Sequence, residues 1–314
     1  MVIRMKKIER MPVPGVGAVL GLMTLGNLYG GLGFSWFRVL AMAAGTVHIL
    51  LYTGKLVLFP KTVLLEYQNP LPAALYGTYS MCLMVLGGFY AELSPAAGKW
   101  IFLIGLCLHA VHTVAFTVRH VIGGVLKYRE TQDVTPAWFV TYNGIMVACV
   151  NGMSFHLEPL LRVVAVYGVV AFCILGPWIL VRLLRQPLPE GAFHTLGILP
   201  APGSLCVISL LNLWTRPSPF LLTVFYLCVL GSVLYLILRL PKFFAFPFYP
   251  GYAGLTFPMA IGAAASRRMS VYLDEALHSP LSGACLQLTG IQIFLSSLLI
   301  GYVLLRLVSN SQKT

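Results

Sequence analysis

The sequence predicts an all-α membrane protein in which ten transmembrane helices form five tandem hairpins. Of its 314 residues, 58% are hydrophobic and only 10% are charged, whereas a soluble domain carries about 25% charged residues. This composition excludes a soluble globular enzyme and also a disordered chain, which needs low hydrophobicity. The 7 cysteines include no Cys-x-x-Cys pair, so neither a disulfide framework nor a metal site is indicated, and no cofactor is expected.

Ten apolar segments supply the helices. About 20 apolar residues cross a bilayer as an α-helix, and long apolar runs without alternation exclude the strands of a membrane barrel. Because the connections are short, consecutive segments are expected to pack as antiparallel hairpins. The segments, numbered first to tenth in chain order, cover residues 13–30, 36–58, 71–90, 98–119, 136–154, 160–182, 192–214, 219–239, 247–266 and 281–305.

The remaining residues form the termini and loops. Residues 1–12 are basic and resemble the start of a signal peptide, but no small-residue cleavage site follows, so the first segment is interpreted as an uncleaved anchor. Residues 13–306 then form one ten-helix transmembrane domain, and residues 307–314 form a tail. The one longer polar loop surrounds Lys127–Asp133.

Lysine and arginine set the orientation, because they accumulate on the cytoplasmic side of membrane proteins. With an even number of spans both termini lie on one side, and that side carries 15 of the 21 basic residues. Both termini are therefore expected in the cytoplasm, and the protein in the cell (inner) membrane. The opposite side carries Arg38, Lys99, Arg162, Arg216, Arg267 and Arg268. The last two are either an interfacial anchor or an anion funnel.

Prolines recur near the start or inside alternate segments, at intervals of 58 to 66 residues: Pro12, Pro70, Pro136, Pro200 and Pro258. A proline inside a helix removes a backbone hydrogen bond, and a membrane tolerates this only against protein or a water-filled cavity. We therefore expect the odd-numbered segments to form a central pore and the even-numbered segments to lie outside. The alternative is that these prolines simply favour helix starts.

The odd-numbered segments also carry most of the glycine, hydroxyl and amide residues, whereas no aspartate or glutamate falls in the middle of a segment. Proton-driven pumps and cation transporters usually need such carboxylates. A carboxylate-free lumen suits an anion better than a cation. Asn143 either lines this lumen or bonds between helices. The candidate pore-lining residues are Gly17, Gly21, Asn143, Pro202, Thr256 and Pro258.

Three intramembrane histidines offer another interpretation. His48 lies in the second segment, and His109 and His112 lie one turn apart in the fourth. Imidazoles on two helices can hold a haem, so a membrane haem oxidoreductase is an alternative. It ranks below an anion pathway because only one helix carries a pair, and buried histidines commonly bond to backbone or hydroxyl groups.

Two motifs resemble those of a known family. Residues 197–207 read Gly-Ile-Leu-Pro-Ala-Pro-Gly-Ser-Leu-Cys-Val, and residues 251–260 read Gly-Tyr-Ala-Gly-Leu-Thr-Phe-Pro-Met-Ala. They resemble the seventh-span and ninth-span motifs of the tellurite-resistance/dicarboxylate transporter family, which includes bacterial TehA and the plant slow anion channels. Thr-Phe-Pro is the more specific core. Weaker similarity occurs at residues 17–22 and at Asn69-Pro70.

The resemblance implies five helical hairpins around a central pore, one pore in each protomer, and trimeric assembly. In that family the ninth-span phenylalanine, here Phe257, plugs the pore, and an aromatic ring in a narrow neutral pore acts as a hydrophobic gate. This chain departs from the family at Val19, which replaces a proline. Prolines expected near Gly77 and Thr141 are also missing, and basic residues seen in some members are replaced near His194. The sequence is therefore compatible with a carrier as well as with a channel.

These observations predict a non-enzymatic anion channel or passive anion transporter with Phe257 as its gate. Its partners would be the lipid bilayer and small anions such as chloride, nitrate, malate, sulfite or tellurite, and it would bind no nucleic acid. The alternative on the same fold is a proton-coupled exporter of dicarboxylate, sulfite or tellurite. That alternative needs a titratable group in the lumen, which the pattern of acidic residues does not supply.

Overall fold

The computed structural model describes residues 2–126 and 133–311, and all regular structure in these ranges is helical. The predicted all-α fold is therefore confirmed for the described chain. Residues 127–132, which form most of the predicted polar loop, and residues 312–314 of the predicted tail lie outside the described residues. Lys127, Arg129 and Lys313, which contributed to the predicted orientation, fall there.

The even-numbered segments are long, nearly continuous helices. The fourth changes at its end into a π-helix of ten residues, Thr117–Leu126. The tenth extends through residues 307–311, which the sequence analysis assigned to the tail. The even-numbered helices are Ser35–Leu58, Pro95–Phe116, Glu158–Arg185, Pro219–Ala245 and Leu281–Ser311.

The odd-numbered segments are interrupted, except for the first, Val13–Gly30. The third comprises Pro70–Leu75 and Gly77–Tyr90. The fifth alternates α and 3₁₀ pieces, the seventh passes through a 3₁₀ turn before its main helix, and the ninth begins with one. The pieces of the fifth segment are Trp138–Asn143, Gly144–Met146, Val147–Asn151 and Met153–Phe155. Those of the seventh are Glu190–Phe193, His194–Ile198 and Pro200–Leu213. Those of the ninth are Pro250–Leu255 and Thr256–Glu275. Two short helices, Val2–Glu9 and Pro60–Glu66, lie outside the ten segments.

Eight of the ten segments are long and apolar enough to cross a membrane, namely all except the fifth and the ninth. The fifth is divided into short pieces, and the ninth is rich in small and polar residues and carries Arg267 and Arg268. The ninth helix also continues to Glu275, although the sequence analysis ended it at the arginine pair. A helix satisfies its own backbone hydrogen bonds in water as well as in lipid, so charged residues do not stop it at the membrane surface.

Three helices begin with the same local sequence, a polar capping residue followed by proline. The side chains of Asn69, Ser94 and Ser218 accept hydrogen bonds from the backbone N–H groups of the first turn. Each is followed by a proline, whose fixed φ suits the first helical position and whose missing N–H would have had no partner there. These caps fix where the third, fourth and eighth segments start.

Burial separates the odd-numbered from the even-numbered segments. In their most apolar stretches, 61–83% of the residues of the first, third and seventh segments are buried, against 28–33% in the five even-numbered segments. The exposed faces of the even-numbered helices carry large apolar residues such as Val47, Leu108 and Leu238. Such faces match lipid tails, which are as apolar as leucine.

The odd-numbered segments contact one another in a closed ring. The first packs on the third, the third on the fifth, the fifth on the seventh, the seventh on the ninth, and the ninth on the first. Each odd-numbered segment also packs on the even-numbered segment that follows it. Segments joined by short connections are thus neighbours in the fold.

A buried ion pair fixes the start of the first and third segments. Lys55, at the end of the second segment, is fully buried, and its Nζ donates to the carbonyl oxygen of Met11 (2.7 Å) and to both carboxylate oxygens of Glu66 (2.7 and 2.9 Å). The hydroxyl group of Tyr76 also donates to Glu66. The ammonium group is therefore paired and hydrogen-bonded, as a buried charge must be.

A second ion pair joins the opposite ends of the first four segments. The guanidinium group of Arg38 donates to both carboxylate oxygens of Glu92 (2.8 and 2.6 Å) and, through Nε, to Oδ1 of Asn27 (2.9 Å). This pair is partly exposed, so its net contribution is smaller than that of Lys55.

We expect Lys55→Met to lower the thermal stability of the detergent-solubilised protein clearly more than Lys61→Met. Lys61 is exposed on the neighbouring short helix, whereas loss of Lys55 leaves Glu66 without its cation and costs about 3 kcal/mol. Thermal unfolding followed by tryptophan fluorescence measures both variants. Equal melting temperatures would show that the pair contributes nothing.

Candidate functional site

The ring of odd-numbered segments encloses a cavity of about 300 Å³. All the residues that line it belong to these segments or directly precede them, in the ranges 12–20, 71–81, 139–144, 191–205 and 249–258. Each range lies at the amino-terminal end of its segment. The cavity therefore occupies the end of the ring where the odd-numbered segments begin, which is the end predicted to face the cytoplasm.

The structure brings five of the seven predicted site residues together around this cavity. The lining includes Gly17, Asn143, Pro202, Phe257 and Pro258. Gly21 and Thr256 are not among the lining residues and lie instead where the first and ninth segments touch. Among the described residues no aspartate or glutamate lines the cavity, whose surface is formed mainly by proline, glycine and aliphatic residues.

Phe257 lines the cavity from the first turn of the helix Thr256–Glu275, which follows the 3₁₀ turn Pro250–Leu255. Its side chain is buried, with 7% of its surface exposed, so it does not face lipid. The hydroxyl group of the preceding Thr256 lies 2.7 Å from the carbonyl oxygen of Ala253 and 3.0 Å from that of Gly17. This contact holds the ninth segment against the first, next to the aromatic ring.

Gly21 allows this close approach. A Cβ atom at Gly21 would lie 2.6 Å from Cβ of Thr256 and 2.7 Å from the backbone nitrogen of Phe257, and both distances are shorter than van der Waals contact. Small residues at helix contacts in membranes permit such backbone approach. Gly21 and Thr256 thus position Phe257 rather than line the cavity.

Asn143 stands at the junction of the helix Trp138–Asn143 with the 3₁₀ turn that follows it. Its Nδ2 donates to the carbonyl oxygen of Gly168 in the sixth segment (2.8 Å), while its Oδ1 has no hydrogen-bond partner within the described residues. The sequence analysis left two roles open for this residue. The structure gives it both, because it lines the cavity and also bonds between helices.

His194 also lines the cavity, and the sequence analysis did not select it as a site residue. It is almost fully buried; its Nδ1 lies 2.6 Å from the hydroxyl oxygen of Tyr249, and its Nε2 lies 3.3 Å from the carbonyl oxygen of Phe243. The ring of Tyr252 packs on it at a centroid distance of 3.9 Å. Its position three residues before the Gly197 motif was the only local signal for it.

The histidine pair of the fourth segment joins helices. Nδ1 and Nε2 of His109 lie 2.8 Å from the hydroxyl oxygen of Ser80 and 3.0 Å from the carbonyl oxygen of Thr141. Those of His112 lie 3.0 Å from the hydroxyl oxygen of Tyr67 and 3.3 Å from that of Thr141. Burial raises the pKa of Tyr67, which lies between the second and third segments, to about 12. That phenol therefore stays protonated.

These contacts do not favour the haem interpretation. All four ring nitrogens of the fourth-segment pair are within hydrogen-bond distance of protein atoms, so neither ring presents an uncommitted nitrogen to iron. His48 lies instead beside Gly15 of the first segment. Within residues 2–126 and 133–311, no group of three or more histidine, cysteine, aspartate or glutamate residues is arranged to hold a metal ion.

The arginine pair lies at the other end of the ninth segment, away from the cavity. Arg267 donates to the carbonyl oxygen of Gly31 (2.6 Å), in the turn between the first two segments. Arg268 is exposed and donates to Oδ1 of Asn212 at the end of the seventh segment. The two arginines thus have different neighbours.

Ring and cavity together define a class, namely a multi-pass membrane protein with an internal cavity that no carboxylate of the described residues lines. Residues 11–308 match the family described as voltage-dependent anion channel. Since the match covers nearly the whole chain, this protein belongs to that family, and the resemblance inferred from the two motifs is confirmed. Membership indicates an anion channel or transporter rather than an enzyme. A direct comparison with curated proteins gave no match.

We expect Gly21→Ala to destabilise the protein by about 1–3 kcal/mol, because the added methyl group overpacks the contact with Thr256 and Phe257. Gly17→Ala is the matched control, since a Cβ there meets only Cγ2 of Thr78 at an ordinary 3.7 Å. Thermal unfolding in detergent compares the two variants. If both unfold at the temperature of the unmodified protein, the first and ninth segments do not touch as described.

Proposed function

We propose that this protein is an anion channel or passive anion transporter whose pathway runs through the ring of odd-numbered segments and is gated by Phe257. The main support is the cavity itself, which all five odd-numbered segments line, which no carboxylate of the described residues lines, and whose lining includes Phe257. Membership of the voltage-dependent anion channel family agrees with this function.

The proposed architecture is ten spans in five tandem hairpins, with odd-numbered helices inside and even-numbered helices outside. Residues 13–306 form the membrane domain, and residues 1–12 and 307–314 are cytoplasmic. The broken fifth and ninth segments fit this arrangement. Interrupted helices leave backbone groups unpaired, and these are tolerated in a membrane only where protein or a water-filled cavity replaces lipid. The closed ring supplies that environment.

Selectivity follows from the absence of charged side chains among the described residues that line the cavity. An ion that enters an apolar passage loses part of its hydration, so weakly hydrated anions such as nitrate are expected to permeate better than chloride. Malate, sulfite and tellurite are further candidate substrates. Assembly as a homotrimer in the bilayer, with one pore in each protomer, is part of the same proposal and rests on the family resemblance.

Phe257→Ala is expected to raise the anion current about tenfold or more, which corresponds to about 1.4 kcal/mol of barrier. The phenyl ring excludes water from the narrow end of the cavity, and its removal lets that end hydrate. Currents through purified protein in planar bilayers, with reversal potentials in nitrate and chloride, measure the change and the selectivity.

Phe139→Ala is the matched control, because Phe139 is another buried phenylalanine of the cavity lining but packs on Phe172 of the sixth segment (5.9 Å between ring centroids). Its removal enlarges the cavity without removing the gate. An equal current in all three proteins, or a lower current in Phe257→Ala, would contradict the gating role.

A second function, proton-coupled anion export, is supported by His194. This residue supplies the titratable group in the lumen that the sequence analysis did not find. Both protons of a protonated ring have an acceptor, because Nδ1 faces the hydroxyl oxygen of Tyr249 (2.6 Å) and Nε2 faces the carbonyl oxygen of Phe243 (3.3 Å). The Tyr249 hydroxyl group then donates to the carbonyl oxygen of Glu190 (3.1 Å).

An anion in the cavity would favour protonation of this ring. A negative charge close to a histidine ring stabilises its protonated form. The ammonium group of Lys242 lies over the neighbouring Phe193 ring (5.0 Å). Proton and anion would therefore enter and leave the cavity together.

We expect His194→Gln to abolish the acceleration of anion flux by a pH gradient across proteoliposomes while passive flux persists. Glutamine retains hydrogen-bonding capacity but does not titrate. His156→Gln serves as the control, because His156 is exposed at the far end of the fifth segment. If the pH gradient has no effect on the unmodified protein, or the same effect on His194→Gln, the exporter function is excluded and the passive pathway remains.

A further inference from the structure

A chain of hydrogen bonds crosses the end of the odd-numbered ring opposite to the cavity. Arg268 of the ninth segment donates to Oδ1 of Asn212 in the seventh, and Nδ2 of Asn212 donates to the carbonyl oxygen of Cys149 in the fifth (3.0 Å). Arg268 is exposed, and Asn212 is half-buried. This contact places a guanidinium group where three of the five segments of the ring converge.

A second arginine reaches the same place. Nε of Arg162, in the first turns of the sixth segment, donates to the carbonyl oxygen of Leu213 (3.2 Å), the residue that follows Asn212. Two guanidinium groups from different helices thus flank residues 212–213. Each has five N–H donors in a planar fork, and the contacts described engage one nitrogen of each.

Three of the acidic residues near this end have other neighbours. Glu92 pairs with Arg38, Glu158 lies 3.8 Å from His156, and Asp274 accepts a hydrogen bond from Ser282 (3.3 Å). Within the described parts of the chain, neither Arg162 nor Arg268 contacts a carboxylate. Their positive charge therefore remains available to a mobile anion.

The two adjacent arginines of the ninth segment point to different parts of the structure. Arg267 points to the first hairpin, where it donates to the carbonyl oxygen of Gly31 (2.6 Å), so its role is to fix that turn. Only Arg268 points to the ring. The chain thus contains a matched pair of neighbouring guanidinium groups, one inside and one outside the candidate site.

We propose that Arg268 and Arg162 form an anion-binding site at the non-cytoplasmic mouth of the pathway, with Asn212 holding Arg268 in place. Its ligand is a small oxyanion, carboxylate or halide, and the forked guanidinium geometry favours the first two. The site rests on the proposed function, because it concentrates anions before they enter the ring. A positively charged mouth also repels cations, whereas the neutral cavity does not.

The test compares chloride currents through oriented protein in planar bilayers at about 10 mM and about 1 M salt, at which charges interact over about 30 Å and 3 Å respectively. At low salt, Arg268→Gln is expected to reduce the current of anions entering from the non-cytoplasmic side about fivefold, with little change from the other side. At high salt this difference disappears. Arg268→Lys retains the charge and most of the current.

Arg267→Gln is the control, and because its guanidinium group points to the first hairpin it should reduce the low-salt current clearly less than Arg268→Gln does. A reduction that is equal in both directions, that persists at high salt, or that Arg267→Gln reproduces would overturn the site while leaving the channel intact. Absence of current in the unmodified protein and in Phe257→Ala would instead overturn the proposed function, and this site with it. Melting temperatures equal to that of the unmodified protein show that each variant folds.

Discussion

The structure depends on one constraint, that every backbone polar group inside a lipid bilayer needs a hydrogen-bond partner in the protein. The even-numbered segments meet it as long helices, of which the fourth ends in a π-helix, and they provide the exposed apolar surface. The third segment is divided into two α-helices, and the fifth, seventh and ninth change between α and 3₁₀ forms. They occupy the ring, where neighbouring helices rather than lipid surround the interruptions.

The interruptions coincide with the cavity. The third segment breaks at Tyr76, the fifth at Asn143, and 3₁₀ turns precede Pro200 and Thr256. Residues beside each break line the cavity. In the fifth segment no proline causes the change; Gly144 instead lies so close to the fourth and third segments that a Cβ atom would be 2.8 Å from both His109 and Met81. Close packing and proline thus produce the same result, an irregular backbone next to a hollow.

Local sequence sufficed for the helices but not for the contacts between them. Hydropathy located ten segments, and the periodic prolines indicated that odd-numbered and even-numbered segments differ. The Thr-Phe-Pro motif selected Phe257.

The roles of Gly21 and Thr256 depend on a contact between residues more than 200 positions apart, which a single sequence does not show. His194 was missed for the same reason, since its partners Tyr249 and Phe243 lie about 50 residues away. The end of the ninth helix was placed too early because hydropathy marks the membrane surface rather than the end of helical structure.

The contact at Gly21 also limits how the proposed gate can open. The backbone nitrogen of Phe257 lies 2.7 Å from the position that a Cβ atom of Gly21 would take, and Thr256 is bonded to the carbonyl oxygen of Gly17. Movement of the ninth segment toward the first would therefore cause a clash, and movement away would break a buried hydrogen bond, which costs about 1–3 kcal/mol. Rotation of the phenyl ring into the adjacent cavity breaks neither contact. Opening by side-chain rotation on a fixed backbone is thus the least costly route, and the cavity beside the ring supplies the space that this rotation needs.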